Sequence, residues 1–214
     1  MAVELAEEEV VVLNFVHEYL NKNRQFIFEE ILPFLNSRIR LSSVNISNEG
    51  VRKILISLTN KKLIVEGSKL SKSEILNNKK RKDIYEFILK NPGTYFNRII
   101  HELNLSNHIV VWHLNMLLKF EFITKEILEN HDIYFDTRSV FDNIKLKYFT
   151  NKEKSQKIIS FMKNDNIGIT KTHLSQELKM HMNTLAKYLK LLEKYEVIVK
   201  KKIDNNYLYF LSQK

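Results

Sequence analysis

The chain has 214 residues, 44% hydrophobic and 28% charged, with four Gly, two Pro and no Cys, so long helices are expected and disulfides, thiolate metal centres and Cys nucleophiles are excluded. The N-terminus MAVELAEEEVVVLNFV is acidic where a secretory leader is basic, and nothing approaches the roughly 20 apolar residues of a membrane span. A cytoplasmic protein with a net charge of +9 and no membrane insertion is expected.

In chain order, the first predicted element is a helix over residues 6–21, striped by Val12, Phe15, Val16 and Tyr19. Glu7, Glu8 and Glu9 suit the positive end of its dipole but would be unfavourable near DNA. Its run Val10–Val11–Val12–Leu13 is wider than one helix face, which suggests burial on two sides, as in a dimer. FEEILPFLN follows as a short helix, then ISNEGVRKILISLTNKKLIVE (residues 46–66), with a short, weak hairpin in LIVEGSKLSKSEIL. NNKKRK (77–82) separates this unit from a helix over 80–90 carrying Ile84, Phe87 and Ile88. FNRIIHELN then leads into LSNHIVVWHLNMLLKFEFITK (105–125), and FITKEI–LENHD–IYFD reads as a hairpin. TRSVFDNIKLKYFTN (137–151) has Val140, Phe141, Ile144 and Tyr148 at helical spacing and predicts a connecting helix, docked on a neighbour or on a second subunit. A helix over 152–163 (Ile158, Ile159, Phe161, Met162), the short KTHLSQELK, the segment MHMNTLAKYLKLLEKYEVIVK (180–200) and the hairpin VIVKKK–IDNN–YLYFL complete the chain.

Three of these segments align without a gap. Each opens on an apolar residue (Ile46, Leu105, Met180), and others follow at plus five (Val51, Val110, Leu185), plus nine (Leu55, Leu114, Leu189) and plus twelve (Leu58, Leu117, Leu192). That spacing puts three side chains on one inward helix face, with the opening residue plugging the preceding turn. An Ile at plus eighteen (Ile64, Ile123, Ile198) starts a β-prone run. The order helix, helix, turn, helix, hairpin is that of a winged helix-turn-helix. The expected fold is therefore mainly α with small β-wings, in three tandem winged helix-turn-helix domains: 1–76, 77–136 and 152–214, with the connecting helix 137–151 between the last two.

Residues 91–123, NPGTYFNRIIHELNLSNHIVVWHLNMLLKFEFI, resemble the winged helix-turn-helix regulators common in archaea, of the broad ArsR and MarR kind. Asn-Pro-Gly before the second helix, the Leu105–Ser106 turn and the His113–Leu114 pair carry the likeness. It implies transcription regulation by duplex DNA binding as a homodimer; the fold alone fixes neither promoter nor inducer.

Charge separates the three units. Residues 1–78 hold 10 Lys and Arg against 10 Asp and Glu, residues 79–136 hold 8 against 8, and residues 137–214 hold 16 against 7, so the last third carries the whole excess. A basic unit of this kind is the footprint of a polyanionic partner. In a helix-turn-helix the outward side chains at the start of the second motif helix face the major groove. In the third unit these are Met182, Asn183, Ala186, Lys187 and Lys190, flanked by Thr184. Asn suits adenine edges and Lys suits guanine or phosphate. Thr170 is placed to cap the preceding helix beside Lys171, where exposed N–H groups favour a phosphate. Lys200, Lys201 and Lys202 are expected at one tip of the wing, along the backbone or minor groove.

The second unit presents Asn107, His108, Val111, Trp112 and Asn115 after Ser106, with no Lys or Arg and an acidic wing. Two readings stand: base contact by Ser106, Asn107, His108 and Asn115 with Trp112 on a sugar or thymine methyl, or an apolar protein-contact patch of Val111 and Trp112. The first unit offers Asn48, Glu49, Arg52, Lys53 and Ile56, and with the second is better suited to assembly with a protein partner. His101, His108 and His113 lack the i, i+4 spacing of a helical metal site, and His173 and His181 are read as structural or phosphate-facing. No phosphate loop, dinucleotide fingerprint or HExxH is present, so neither cofactor, metal nor enzyme activity is expected. The rival to a DNA-binding regulator is a protein-interaction scaffold, as tandem winged helices serve in ESCRT-II and polymerase-associated factors.

Overall fold

The computed structural model describes residues 4–163 and 168–212. The ends of the first and third expected domains (residues 1–3 and 213–214) and the stretch 164–167 lie outside the described residues. The chain is mainly helical with small antiparallel sheets, and it divides into two compact units. One is Met1–Asn91 with Tyr95–Thr137; the other is Pro92–Thr94 with Arg138–Lys214.

The first unit begins with α1 (Glu7–Lys22), α2 (Phe28–Leu41) and α3 (Asn48–Asn60). Val12, Val16, Ile31, Leu35, Val51, Leu55 and Leu58 from these helices are all fully buried in one apolar cluster, and Val11 and Leu13 pack partly against it. The wide apolar run of α1 is thus largely consumed by the unit's own core, with Val10 left 42% exposed. α2 runs to Leu41, well past the short helix expected, with Pro33 inside it.

The hairpin expected in LIVEGSKLSKSEIL is not formed. Instead Phe26 donates its N–H to the Ser68 carbonyl and accepts from Gly67 N–H, both at 2.8 Å, and Lys72 N–H reaches the Leu63 carbonyl at 2.8 Å. Gly67 takes a left-handed φ of 72° to permit this. With Gly67 and Ser68 tied to Phe26 in the α1–α2 connection and Lys72 bonded back to Leu63 within the segment, the stretch ends in a 3-10 turn, Lys72–Asn77. Ser71 and Glu74 form its capping box. The first helical triad therefore lacks a β-wing.

The rest of the first unit is α4 (Lys79–Lys90), α5 (Phe96–Leu103), α6 (Asn107–Lys119) and the antiparallel pair β2 (Ile123–Leu128) and β3 (His131–Asp136); the sheet order is β1-β3-β2, where β1 is the two-residue Thr94–Tyr95. Its core holds Ile84, Ile88, Ile99, Val110, Leu114, Leu117, Phe120 and Ile123.

The second unit contains α7 (Phe141–Thr150), α8 (Glu153–Lys163), β4 (Ile169–Thr170), α9 (Lys171–Glu177), α10 (Met182–Lys194) and the hairpin β5 (Ile198–Ile203) and β6 (Asn206–Leu211). The sheet order is β4-β6-β5. Leu174, Leu185, Leu189, Leu192 and Ile198 fill the core with Ile158 and Met162. The expected connecting helix is α7, and Phe149 stacks on Tyr195 just after α10 with ring centroids 5.4 Å apart.

α3, α6 and α10 are each 13 residues long and begin two positions after the opening apolar residue of their segments. Each ends the same way. Lys62, Glu121 and Glu196 are left-handed (φ 56°, 53° and 56°). The next N–H reaches back to Leu58, Leu117 or Leu192 at 2.9–3.0 Å, the long bond of a Schellman turn.

Candidate nucleic-acid interface

α10 is capped by His181, whose Nδ1 accepts the Asn183 N–H at 3.2 Å. An imidazole thus occupies the capping role usual for Ser, Thr, Asp or Asn, which requires an unprotonated Nδ1. Burial of Leu185, Leu189 and Leu192 turns Asn183, Lys187 and Lys190 outward, exposed, with Met182, Thr184 and Ala186 half-buried beside them. Of the expected outward set, Asn183, Lys187 and Lys190 are thus exposed, whereas Met182 and Ala186 are partly covered. Thr170 caps α9: its Oγ1 accepts the His173 N–H at 3.2 Å. Lys171 follows, half-buried. The His173 ring lies edge-on to Phe161, centroids 6.1 Å apart.

The wing corrects one expectation. Lys200, Lys201 and Lys202 lie along β5 opposite Tyr209, Leu208 and Tyr207. Because strand side chains alternate, Lys200 and Lys202 share one face and Lys201 projects from the other. The tip itself is the turn between Ile203 and Asn206, where Asp204 has φ 52°. Lys200 Nζ sits 4.0 Å from the centre of the Tyr207 ring, which is 54% exposed, and Lys201 Nζ sits 5.3 Å from the Phe210 ring. Tyr207 is absent from the outward positions that helical spacing picks out; its signal is the aromatic next to the turn in IDNNYLYFL. The capping role of His181 becomes visible only once the helix start is fixed.

On α6, Asn107, His108, Val111, Trp112 and Asn115 are all exposed, as is Ser106, whose Oγ lies 3.4 Å from His108 Nε2. The next residue after Trp112, His113, is buried. Burial, then the nearby charges of Arg81 and Lys80, lower its pKa, so it is neutral at physiological pH. Behind the exposed Trp112 lies Arg81, 1% exposed, its guanidinium 5.1 Å from the indole. The outward positions of α6 give no sign of this cation, because it comes from α4.

On α3, Asn48, Glu49, Arg52, Lys53 and Ile56 are exposed. Arg52 is engaged, however, with Glu29 at 2.8 Å and over the Phe28 ring at 5.3 Å. Among the described residues no group of three or more His, Asp or Glu could hold a metal, and no helix is long and apolar enough to cross a membrane.

No family model matches the chain. Over 144 residues it is 26% identical to an uncharacterised HTH-type transcriptional regulator of Methanocaldococcus jannaschii. The match covers 67% of this chain but 36% of that protein, so the chain spans little more than a third of the curated relative. This likeness and the resemblance of residues 91–123 both point to helix-turn-helix regulators.

Proposed function

We propose that the chain is a DNA-binding transcriptional regulator of three tandem helix-turn-helix units, the second and third winged, acting on duplex DNA as a homodimer and by binding rather than catalysis. The matching lengths, registers and Schellman ends of α3, α6 and α10 support the tandem reading. The observation that carries the assignment is the third unit's outward face. There α10 exposes Asn183, Lys187 and Lys190 ahead of a lysine-rich hairpin, in the stretch that holds the whole net charge. Asn183 pairs with a base edge, Lys187 and Lys190 reach guanine or phosphate, and Lys200 and Lys202 follow the backbone along one face of the wing.

The test is duplex DNA binding by the full chain across a salt series. Lys187→Ala with Lys190→Ala is expected to weaken binding and flatten the dependence of log affinity on log salt by about 0.9 for each phosphate no longer neutralised. Unchanged affinity and slope would sink the assignment. A protein-interaction scaffold is the second reading, favoured by Val111 and Trp112, which are 45% and 54% exposed on α6.

A further inference from the structure

The β2–β3 and β5–β6 hairpins are built to one register. Each opens on a buried Ile, Ile123 or Ile198, and carries a Lys two residues later, Lys125 or Lys200. Side chains alternate along a strand, so each Lys shares its face with a diagonal neighbour on the opposite strand. In β2–β3 that neighbour is Asp132, which pairs across with Ile127. In β5–β6 it is Tyr207, which pairs across with Lys202. The position is the same and the chemistry is not.

Lys125 Nζ lies 3.1 Å from Asp132 Oδ2. Its charge is met within the hairpin, and a phosphate arriving there would be opposed by the carboxylate. Lys200 Nζ instead sits 4.0 Å from the centre of the Tyr207 ring. An aromatic face attracts an ammonium through its quadrupole but has no net charge, so it holds Lys200 without neutralising it. The ring is 54% exposed, and among the described residues no carboxylate pairs with Lys200 or with Lys202 on the same face. A free lysine gives up rotamer freedom when it grips an anion; one already held over a ring has less to lose.

We infer that Tyr207 is a positioning residue, which presents the fully charged Lys200 ammonium to a phosphate of the duplex backbone. That role depends on DNA being the partner, as proposed above. It also accounts for the difference between two hairpins of one register: the acid in β2–β3 turns its lysine inward on the hairpin, and the aromatic in β5–β6 keeps its lysine available.

Duplex binding by the full chain is measured across a salt series for Tyr207→Phe, Tyr207→Leu and Tyr207→Asp, and for Tyr207→Leu combined with Lys200→Ala. Tyr207→Phe keeps the ring and is expected to bind as wild type. Tyr207→Leu keeps every charge, so affinity should fall about two- to five-fold with the salt slope unchanged. Tyr207→Asp recreates the pairing of β2–β3 and should flatten the slope by about 0.9, the effect of one phosphate no longer neutralised. With Lys200 already replaced by Ala, Tyr207→Leu should cost nothing further. Wild-type affinity for Tyr207→Leu, equal damage from Phe and Leu, or the same loss with and without Lys200 would each overturn the role of Tyr207. Lys187→Ala/Lys190→Ala is the reference. If it loses binding while the Tyr207 variants do not, the regulator stands and the positioning role falls. If the wild-type chain binds no duplex, both fall.

Discussion

Glu9 lies in the first turn of α1, where its place in the sequence gives it a dipole role and makes it a liability near DNA. In the folded chain it is 8% exposed, and both its oxygens lie 2.7 Å from Lys61 Nζ on the end of α3. Ser57 Oγ adds a bond at 2.6 Å and the Ala6 N–H another at 3.1 Å. The bond from Lys61, then that from Ser57, holds the Glu9 carboxyl below the ordinary glutamate value, against the opposing effect of burial. A depressed pKa contributes stability that is present above the unfolded value, about 4.3, and is lost as pH falls through the folded value. Glu9→Gln is therefore expected to cost about 1–3 kcal/mol near neutrality. Urea unfolding of the variant and wild type should converge in acid below both values; an equal difference at all pH would refute the pairing. His181 makes a local contribution of another kind. His181→Ala removes the cap of α10 at an expected cost of about 1 kcal/mol, and His181→Asn restores most of it, as thermal unfolding would show.

At the scale of the element, α2 continues through Pro33, at its sixth position, where the missing N–H leaves the Glu29 carbonyl without its helical donor. Pro33 is exposed, so Pro33→Ala should relieve that defect without opening a cavity. A gain of about 1–3 kcal/mol in chemical denaturation is expected; a decrease would mean that Pro33 serves the surface around it. The wing is governed by the period of two. Lys200→Ala with Lys202→Ala should flatten the salt dependence of DNA binding by about 1.8, the effect of two phosphates met by one face. Lys201→Ala should leave it nearly unchanged. Equal effects from all three lysines would mean that the hairpin twists or reorders on DNA.

For the whole molecule, the apolar spacing of the three repeats was legible because inward helix positions must recur every three or four residues. Val51, Val110 and Leu185 are each fully buried. The basic bias of the last third was legible as well, since charge is counted rather than folded. Less could be read where backbone groups choose between partners far apart in sequence. LIVEGSKLSKSEIL has hairpin-like composition, yet the Gly67 N–H and the Ser68 carbonyl bond to Phe26, far earlier in the chain. The α6 face reads in sequence as lacking cations because helical spacing reports the neighbours within one helix, and Arg81 arrives from another.

The sequence by itself determined where the helices lie, which of their faces turn inward and which third of the chain is basic, because these depend on spacing and composition along the chain. Tertiary structure decided how the repeats differ: a wing replaced by a 3-10 turn in the first, an arginine buried behind the exposed tryptophan in the second, lysines divided between two faces of the hairpin in the third. Each of these depends on which polar group finds which partner across space, and a buried donor or charge is placed by the partner it meets rather than by its neighbours in the chain.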